Sequence, residues 1–308
     1  MAGSSAIEWT DMVWNPVTGC NKVSPGCTNC YAEALDKRFQ KDGPFRPWAF
    51  PKSQGGRGVT LHPERLEAPL HWKKPRRVFV NSMSDLFHED VPDAFILQIF
   101  SVMWAAKDHS FQVLTKRPDR MVRWFGAIKR SRMNGYGQIL DPLDWNFVSV
   151  EWPLPNVWLG VSVESQYWAD RRIPLLLQTP AAVRFVSAEP LLGGLDLREW
   201  LEPNCLAKGN AHFERTGHHV ESRRYMESAY YESHCPDCNQ TFTDEAGLSW
   251  TITGAESGPN RRPADPQWFR DIRDQCLAAG VPYFHKQGSS LRPGQDRLLD
   301  GVALDQTP

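Results

Sequence analysis

Short apolar, β-branched runs alternate with longer stretches of helical spacing through nearly the whole chain, and this alternation constrains the fold more than any other feature. The runs are "MVWNPVTG" (12–19), "RRVFVNSM" (76–83), "FQVLTKR" (111–117), "VWLGVSVES" (157–165), "VRFVSAEP" (183–190), "SWTITGAES" (249–257) and "VPYFHKQ" (281–287), each reading as a buried strand. Between them lie "DAFILQIFSVMWAAK", "DRMVRWFGAIKRSR", "SQYWADRRIPLLLQT" and "PQWFRDIRDQCLAAG", the last with Gly280 placed as a helix C-cap. Strand followed by helix, repeated, implies a parallel sheet with right-handed crossovers. About seven such units predict an α/β fold, a partial or complete parallel (β/α) barrel related to the TIM barrel.

In a barrel of that kind the C-terminal strand ends converge on one face, where active sites are built. Polar residues gather at those ends: Ser84 and Asp85 after the second run, Lys116 and Arg117 at the third, Ser162 and Glu164 at the fourth, Glu189 at the fifth, Glu256 at the sixth and Lys286 at the seventh. A single one of these is as readily a solvated loop charge. Six strands ending this way point to a site.

Three of the seven cysteines, Cys20, Cys27 and Cys30, lie in the loop after the first strand with the spacing C-x6-C-x2-C. Cys30 falls on the first turn of the helix "NCYAEALDKRF", whose N-terminus favours anionic ligands. Pro16, Gly19, Pro25 and Gly26 supply the turns that wrap a loop around a compact object. Three close thiolates suit a 4Fe-4S cluster with one iron open to an outside ligand, whereas structural zinc normally takes four protein ligands. The odd cysteine total argues against a fully paired disulfide framework.

The ordered blocks "WNPVTGC", "VSPGCTNCYAE", "NSMSDLFH", "LTKRPDRM", "GVSVES", "SAEPLLG" and "TGAESG" resemble the phage-type three-Cys-motif family of radical-SAM-like proteins. The first cysteine gap is longer than the C-x3-C-x2-C commonest among radical S-adenosylmethionine enzymes. The resemblance implies a barrel of the radical-SAM type and a 4Fe-4S cluster on Cys20, Cys27 and Cys30. It implies S-adenosylmethionine on the open iron and a 5′-deoxyadenosyl radical that abstracts hydrogen from the substrate. "NSMSD" is similar to the serine-aspartate pair of the spore photoproduct lyase branch, so Ser84 and Asp85 are the expected contacts of the cofactor's ammonium. Lys116 is the expected contact of its carboxylate and Ser162 a second polar contact, while Glu189 and Glu256 touch cofactor ribose or substrate. A nucleic acid or nucleotide is the expected substrate and flavodoxin or ferredoxin the expected reductant; no particular side chain is singled out as catalytic.

An insertion separates "GGLDLREWL" from "LSWTITGAE", dividing the chain into residues 1–195, 196–248 and 249–308. It carries Cys205, Cys235 and Cys238, with His212, His218, His219 and His234 as candidates for a fourth ligand. A C-x2-C knuckle with a distant cysteine fits tetrahedral zinc. The competing reading for the whole chain is a non-catalytic protein in which Cys20, Cys27, Cys30 and a histidine bind zinc. Cys276, on an apolar helix face, reads as core, and Trp48 and Phe50 sit in a basic Pro/Gly-rich loop suited to base stacking or to packing. The net charge of −1 leaves the partner open, and the absence of a leader or an 18-residue apolar run predicts a cytoplasmic protein that does not engage a membrane.

Overall fold

The computed structural model describes residues 2–4, 7–39, 58–130, 136–201, 221–224, 231–235, 240–243 and 247–308. The elements run in order β1 (Ala2–Ser4), β2 (Met12–Trp14), β3 (Val17–Thr18), α1 (Tyr31–Phe39), β4 (Thr60–Leu61), β5 (Arg77–Val80), α2 (Asp93–Ala105), β6 (Ser110–Thr115) and α3 (Pro118–Arg130). There follow β7 (Tyr136–Leu140), β8 (Phe147–Glu151), β9 (Val157–Ser162), α4 (Gln166–Leu176), β10 (Val183–Ala188), α5 (Arg198–Leu201), β11 (Glu221–Arg224), β12 (Tyr231–Cys235) and β13 (Gln240–Thr243). The chain closes with β14 (Trp250–Gly254), α6 (Pro266–Ala279), β15 (Tyr283–Gln287), β16 (Leu298–Leu299) and β17 (Val302–Ala303).

All seven strands read from the sequence are present, and they pair in chain order, β2-β5-β6-β9-β10-β14-β15, every neighbour parallel. The sheet curls into a half-barrel, so the barrel is partial. β1 adds antiparallel to β2 at one edge, an addition of three residues that carries no apolar periodicity and was not legible beforehand. The hairpin β7–β8 and the β16–β17 ribbon are likewise extra to the repeat.

Side chains alternate across a strand, so each parallel strand feeds two cores. Val78, Val80, Phe111, Val113, Leu159, Val161 and Val186 join α2, α3, α4 and α6 in the larger cluster. The intervening positions, Phe79, Phe185, Trp250, Ile252 and Phe284, form a second cluster on the concave face with Trp9, against which Leu114 and Trp158 pack. α6 starts at Asp265, whose carboxylate accepts the Gln267 N–H, and ends at Gly280 with φ 68°, the left-handed cap expected of that glycine. Cys276 on this helix is fully buried, as core.

The concave face is closely fitted at one point. Gly160 faces Phe185 in register, and a Cβ on Gly160 would stand 2.5 Å from the phenyl ring. Gly160→Ala is therefore expected to lose about 1–3 kcal/mol of stability by overpacking, measured by urea unfolding, and Phe185→Leu added to it should restore most of that loss.

Of the insertion, β11, β12 and β13 form a three-stranded antiparallel sheet. The chain rejoins the half-barrel beside its point of departure, where the Leu248 N–H donates to Trp200 O at 2.7 Å. Cys205 and Cys238 lie outside the described residues, as do Trp48, Phe50, His212, His218 and His219, and for Cys235 and His234 only the backbone of β12 is described.

Candidate functional site at the mouth of the half-barrel

Two asparagines fix the exits of the first two parallel strands. Asn81, held at φ 60° just after β5, accepts the Val17 N–H on its Oδ1 at 3.2 Å, and its own N–H reaches Trp14 O at 2.8 Å. Asn15 Oδ1 accepts from Ser82 Oγ at 3.2 Å and from the Met83 N–H at 3.1 Å. The chain then turns at Gly19, where φ is 91° and a Cβ would stand 2.1 Å from Gly58 O, so no larger residue fits. Here Gly19 N–H donates to Met83 O at 3.0 Å and Ser84 Oγ to Val17 O at 3.0 Å.

From this turn the cysteine loop crosses the mouth and is tied to four strand ends. Asn21 Oδ1 lies 2.9 Å from His88 Nε2, after β5, and also receives the Arg117 guanidinium, after β6. Glu164, after β9, accepts the Gly26 N–H at 3.2 Å. Glu256, after β14, accepts Asn29 Nδ2 at 2.8 Å, and Arg262, paired with Glu256, donates to Pro25 O at 2.9 Å. Cys30 precedes α1 rather than sitting in its first turn: its carbonyl accepts the Ala34 N–H, which makes it the residue that opens the helix. Tyr31, half exposed, anchors that end through its hydroxyl on Ser82 O at 2.5 Å.

The three thiols are free and partly exposed. Burial, then the Asp85 carboxylate, push the Cys20 pKa from 9.0 up to about 12, against the pull of the Arg117 guanidinium. Among the described residues no three His, Cys, Asp or Glu side chains are gathered tightly enough to hold a single metal ion.

Other expected contacts fall into two groups. Asp85 is buried and internally engaged: Oδ1 accepts from Thr115 Oγ1 at 2.7 Å and the Phe87 N–H at 3.0 Å, and Oδ2 from the Lys116 N–H at 3.0 Å. It braces β5 against β6 and acts on Cys20 through its charge, with Arg117 Nε 4.0 Å away. Glu256 is buried by the loop it holds; burial works against its charge, yet the Arg262 and Asn29 hydrogen bonds outweigh it and depress its pKa. Lys116 is half-buried, and its ammonium makes no ion pair among the described residues. Ser162 is buried at the end of β9, on the face that carries Trp158. Glu189 pairs with Lys286 at 3.0 Å and accepts from Ser187 Oγ at 3.3 Å, away from the loop tethers. Burial opposes the Lys286 charge, but Glu189 and then Glu8 overcome it and raise its pKa. The missing side chain of Gly254 makes room for Glu189, since a Cβ there would meet the carboxylate at 2.3 Å.

Residues 4–308 match the family described as "Protein of unknown function (DUF5131)". The chain belongs to this family. Neither the curated proteins nor the solved structures gave a match. No described helix of this DUF5131 member is long and apolar enough to cross a membrane.

Sequence reasoning left Glu164, Arg172, Asn21, His88 and Arg262 without roles. The buried Arg172 on α4 donates to Glu164 Oε2 at 2.9 Å and Ser162 O at 2.8 Å, so an eight-residue step across the β9–α4 turn carries a buried ion pair that no periodicity announces. The perturbed Cys20 gives a direct check. A three-unit rise cuts its thiolate fraction about a thousandfold near pH 8, and the greater nucleophilicity of a more basic thiolate recovers about 20-fold. Iodoacetamide should therefore alkylate Cys20 of the metal-free protein roughly 50-fold more slowly than the same residue in the urea-unfolded chain, read by peptide mass spectrometry.

Proposed function

We propose that this protein is a radical S-adenosylmethionine enzyme carrying a 4Fe-4S cluster on Cys20, Cys27 and Cys30. The observation that carries the reading is the cysteine loop itself, drawn across the C-terminal mouth of a parallel half-barrel by side chains following four of its strands. Three free, partly exposed thiols come from one short loop, the number of protein ligands that leaves one iron of a 4Fe-4S cluster open. Nearby donors fit an anionic group as well, because Arg117 Nε and Arg172 Nε and Nη2 are buried without hydrogen-bond partners. The chemistry the cluster supplies when bound is one electron to the sulfonium of S-adenosylmethionine.

The chain's own residues hold and orient. Glu164, Glu256 and Asn21 fix the loop backbone, and with it the three sulfurs. Lys116, whose ammonium is uncommitted, receives the cofactor carboxylate, while Ser84 and Ser162 lie on the adjoining strand ends as polar contacts. Asp85 we assign to bracing Lys116 and Arg117 in place, because its oxygens already accept three hydrogen bonds. Glu189, paired with Lys286 and making no hydrogen bond to the cysteine loop among the described residues, serves ribose or substrate. The aromatic layer of Trp158, Phe185 and Trp250 beneath excludes water from below. The substrate we propose, a nucleic acid or nucleotide, rests on the likeness of "NSMSD" to the lyase branch, with a flavodoxin or ferredoxin as reductant. Zinc on Cys205, Cys235 and Cys238 is a separate part of the same proposal, in the insertion.

Anaerobic reconstitution with iron and sulfide should yield brown protein with about four irons per chain and an absorption band near ~400 nm. Replacing any of Cys20, Cys27 or Cys30 by Ala should abolish iron uptake, while Cys276→Ala leaves it unchanged; full iron in Cys27→Ala, or a colourless wild type, excludes the reading. Dithionite and S-adenosylmethionine should then yield 5′-deoxyadenosine. Lys116→Ala should keep the cluster spectrum and bind S-adenosylmethionine about 10- to 150-fold more weakly by anaerobic calorimetry, the worth of one charge-assisted contact.

A further inference from the structure

The residues next to Cys20 and Cys27, Asn21 and Gly26, are each tied to a guanidinium from outside the cysteine loop, Asn21 directly to Arg117 and Gly26 through Glu164 to Arg172. Arg117, from the end of β6, has a side chain only 11% exposed; it donates to Asn21 O at 3.3 Å and to Asn21 Oδ1, lowers the Cys20 pKa through its charge, and stands 4.0 Å from Asp85. Arg172, from α4, has a side chain 3% exposed, is paired with Glu164 and lies with its Cζ 4.1 Å from the Trp168 ring centre. Cys27 is among the groups whose charge it feels, and the Glu164 carboxylate it holds carries the Gly26 N–H next to Cys27. Gly26 permits this approach, since a Cβ there would stand 3.1 Å from the Glu164 carboxyl carbon.

Each cation has a carboxylate partner, so the pairs alone are close to neutral. Yet both arginines keep buried N–H groups without an acceptor, Nε of Arg117 and Nε and Nη2 of Arg172. Leaving a buried donor unpaired is costly, and three such donors on the two arginines tied to the loop are available to a further anionic group.

We infer that Arg117 and Arg172 are positioning residues that balance, from the barrel side, the negative charge of the group held by Cys20 and Cys27. This rests on the cluster reading above and deepens it. A reduced iron–sulfur cluster carries one more negative charge than the oxidised one, so a fixed guanidinium favours the reduced state and raises the midpoint potential. Arg117 is the more accessible to test, because Asp85 retains three other donors when it is removed.

The test compares wild type, Arg117→Gln and Arg117→Lys, reconstituted with iron and sulfide, by circular-dichroism melting, iron per chain, and midpoint potential in a dithionite titration followed by electron paramagnetic resonance. Arg117→Gln should fold, bind iron as wild type does and shift to a lower midpoint, with Arg117→Lys recovering most of the shift. Loss of iron in folded Arg117→Gln but not in Arg117→Lys also supports the inference, since Lys keeps the positive charge that Gln lacks. A wild-type midpoint in fully loaded Arg117→Gln overturns it while leaving the cluster reading intact, and iron loss in both variants overturns it in favour of a purely steric role. If Arg117→Gln does not fold, Asn21→Ala carries the test by removing the side-chain oxygen that, together with the backbone carbonyl of residue 21, holds the guanidinium in place; an unshifted midpoint there overturns the inference. A wild-type chain that takes up no iron brings down the cluster reading, and this inference with it.

Discussion

Parallel pairing of seven consecutive strands is the constraint from which the rest follows. Each strand must return to the same starting edge before the next begins, so every C-terminal end opens onto one rim and every helical return lies on the outside. The rim thereby collects backbone carbonyls and polar side chains that no helix covers. A loop of mixed Pro, Gly and Cys that could find no place in a core finds its hydrogen-bond partners there, through Asn21, Gly26, Asn29 and Pro25. The half-barrel and the loop complete one another, since the buried carboxylates Glu164 and Glu256 would otherwise lack some of the donors they accept.

The energetics of the rim differ from those of the sheet below. The sheet is held by apolar burial on both faces, with Trp14, Phe87, Phe100, Phe111, Phe185 and Trp250 fully inaccessible. The rim is held by charge-assisted hydrogen bonds in partly dry surroundings, Glu164 with Arg172 and Asp85 with its three donors. Buried ion pairs contribute little net stability but penalise any rearrangement that separates them. Such a rim suits a loop whose backbone has to stay fixed while its side chains hold an outside group.

The mouth is divided. The ends of β5, β6, β9 and β14 restrain the loop, whereas Glu189 after β10 and Lys286 in β15 pair with each other and make no tether to it.

Much of this was legible in the chain. Runs of β-branched and aromatic residues separated by helical spacing determined the seven strands, four of the helices and the C-cap at Gly280, because burial on both faces of a parallel strand demands near-continuous apolar sequence. Strand-end polarity pointed to the rim, and the cysteine spacing to the loop above it. β1 was hidden because an edge strand of three residues pairs through backbone alone. The partners of the strand-end residues were hidden for a related reason: Asp85 and Lys116 look equally free in a string of letters, yet one is enclosed by Thr115, Phe87 and Lys116 and the other is not. Arg172 is separated from Gly26 by the units β5–α2 and β6–α3 and by β9, and only the closing of the sheet brings its carboxylate partner under the loop. Sequence determined which segments are strands and where chemistry gathers, since both depend on local pattern. Tertiary structure alone decided which charges are engaged and which are left to a ligand, because that depends on what lies opposite each side chain across the rim.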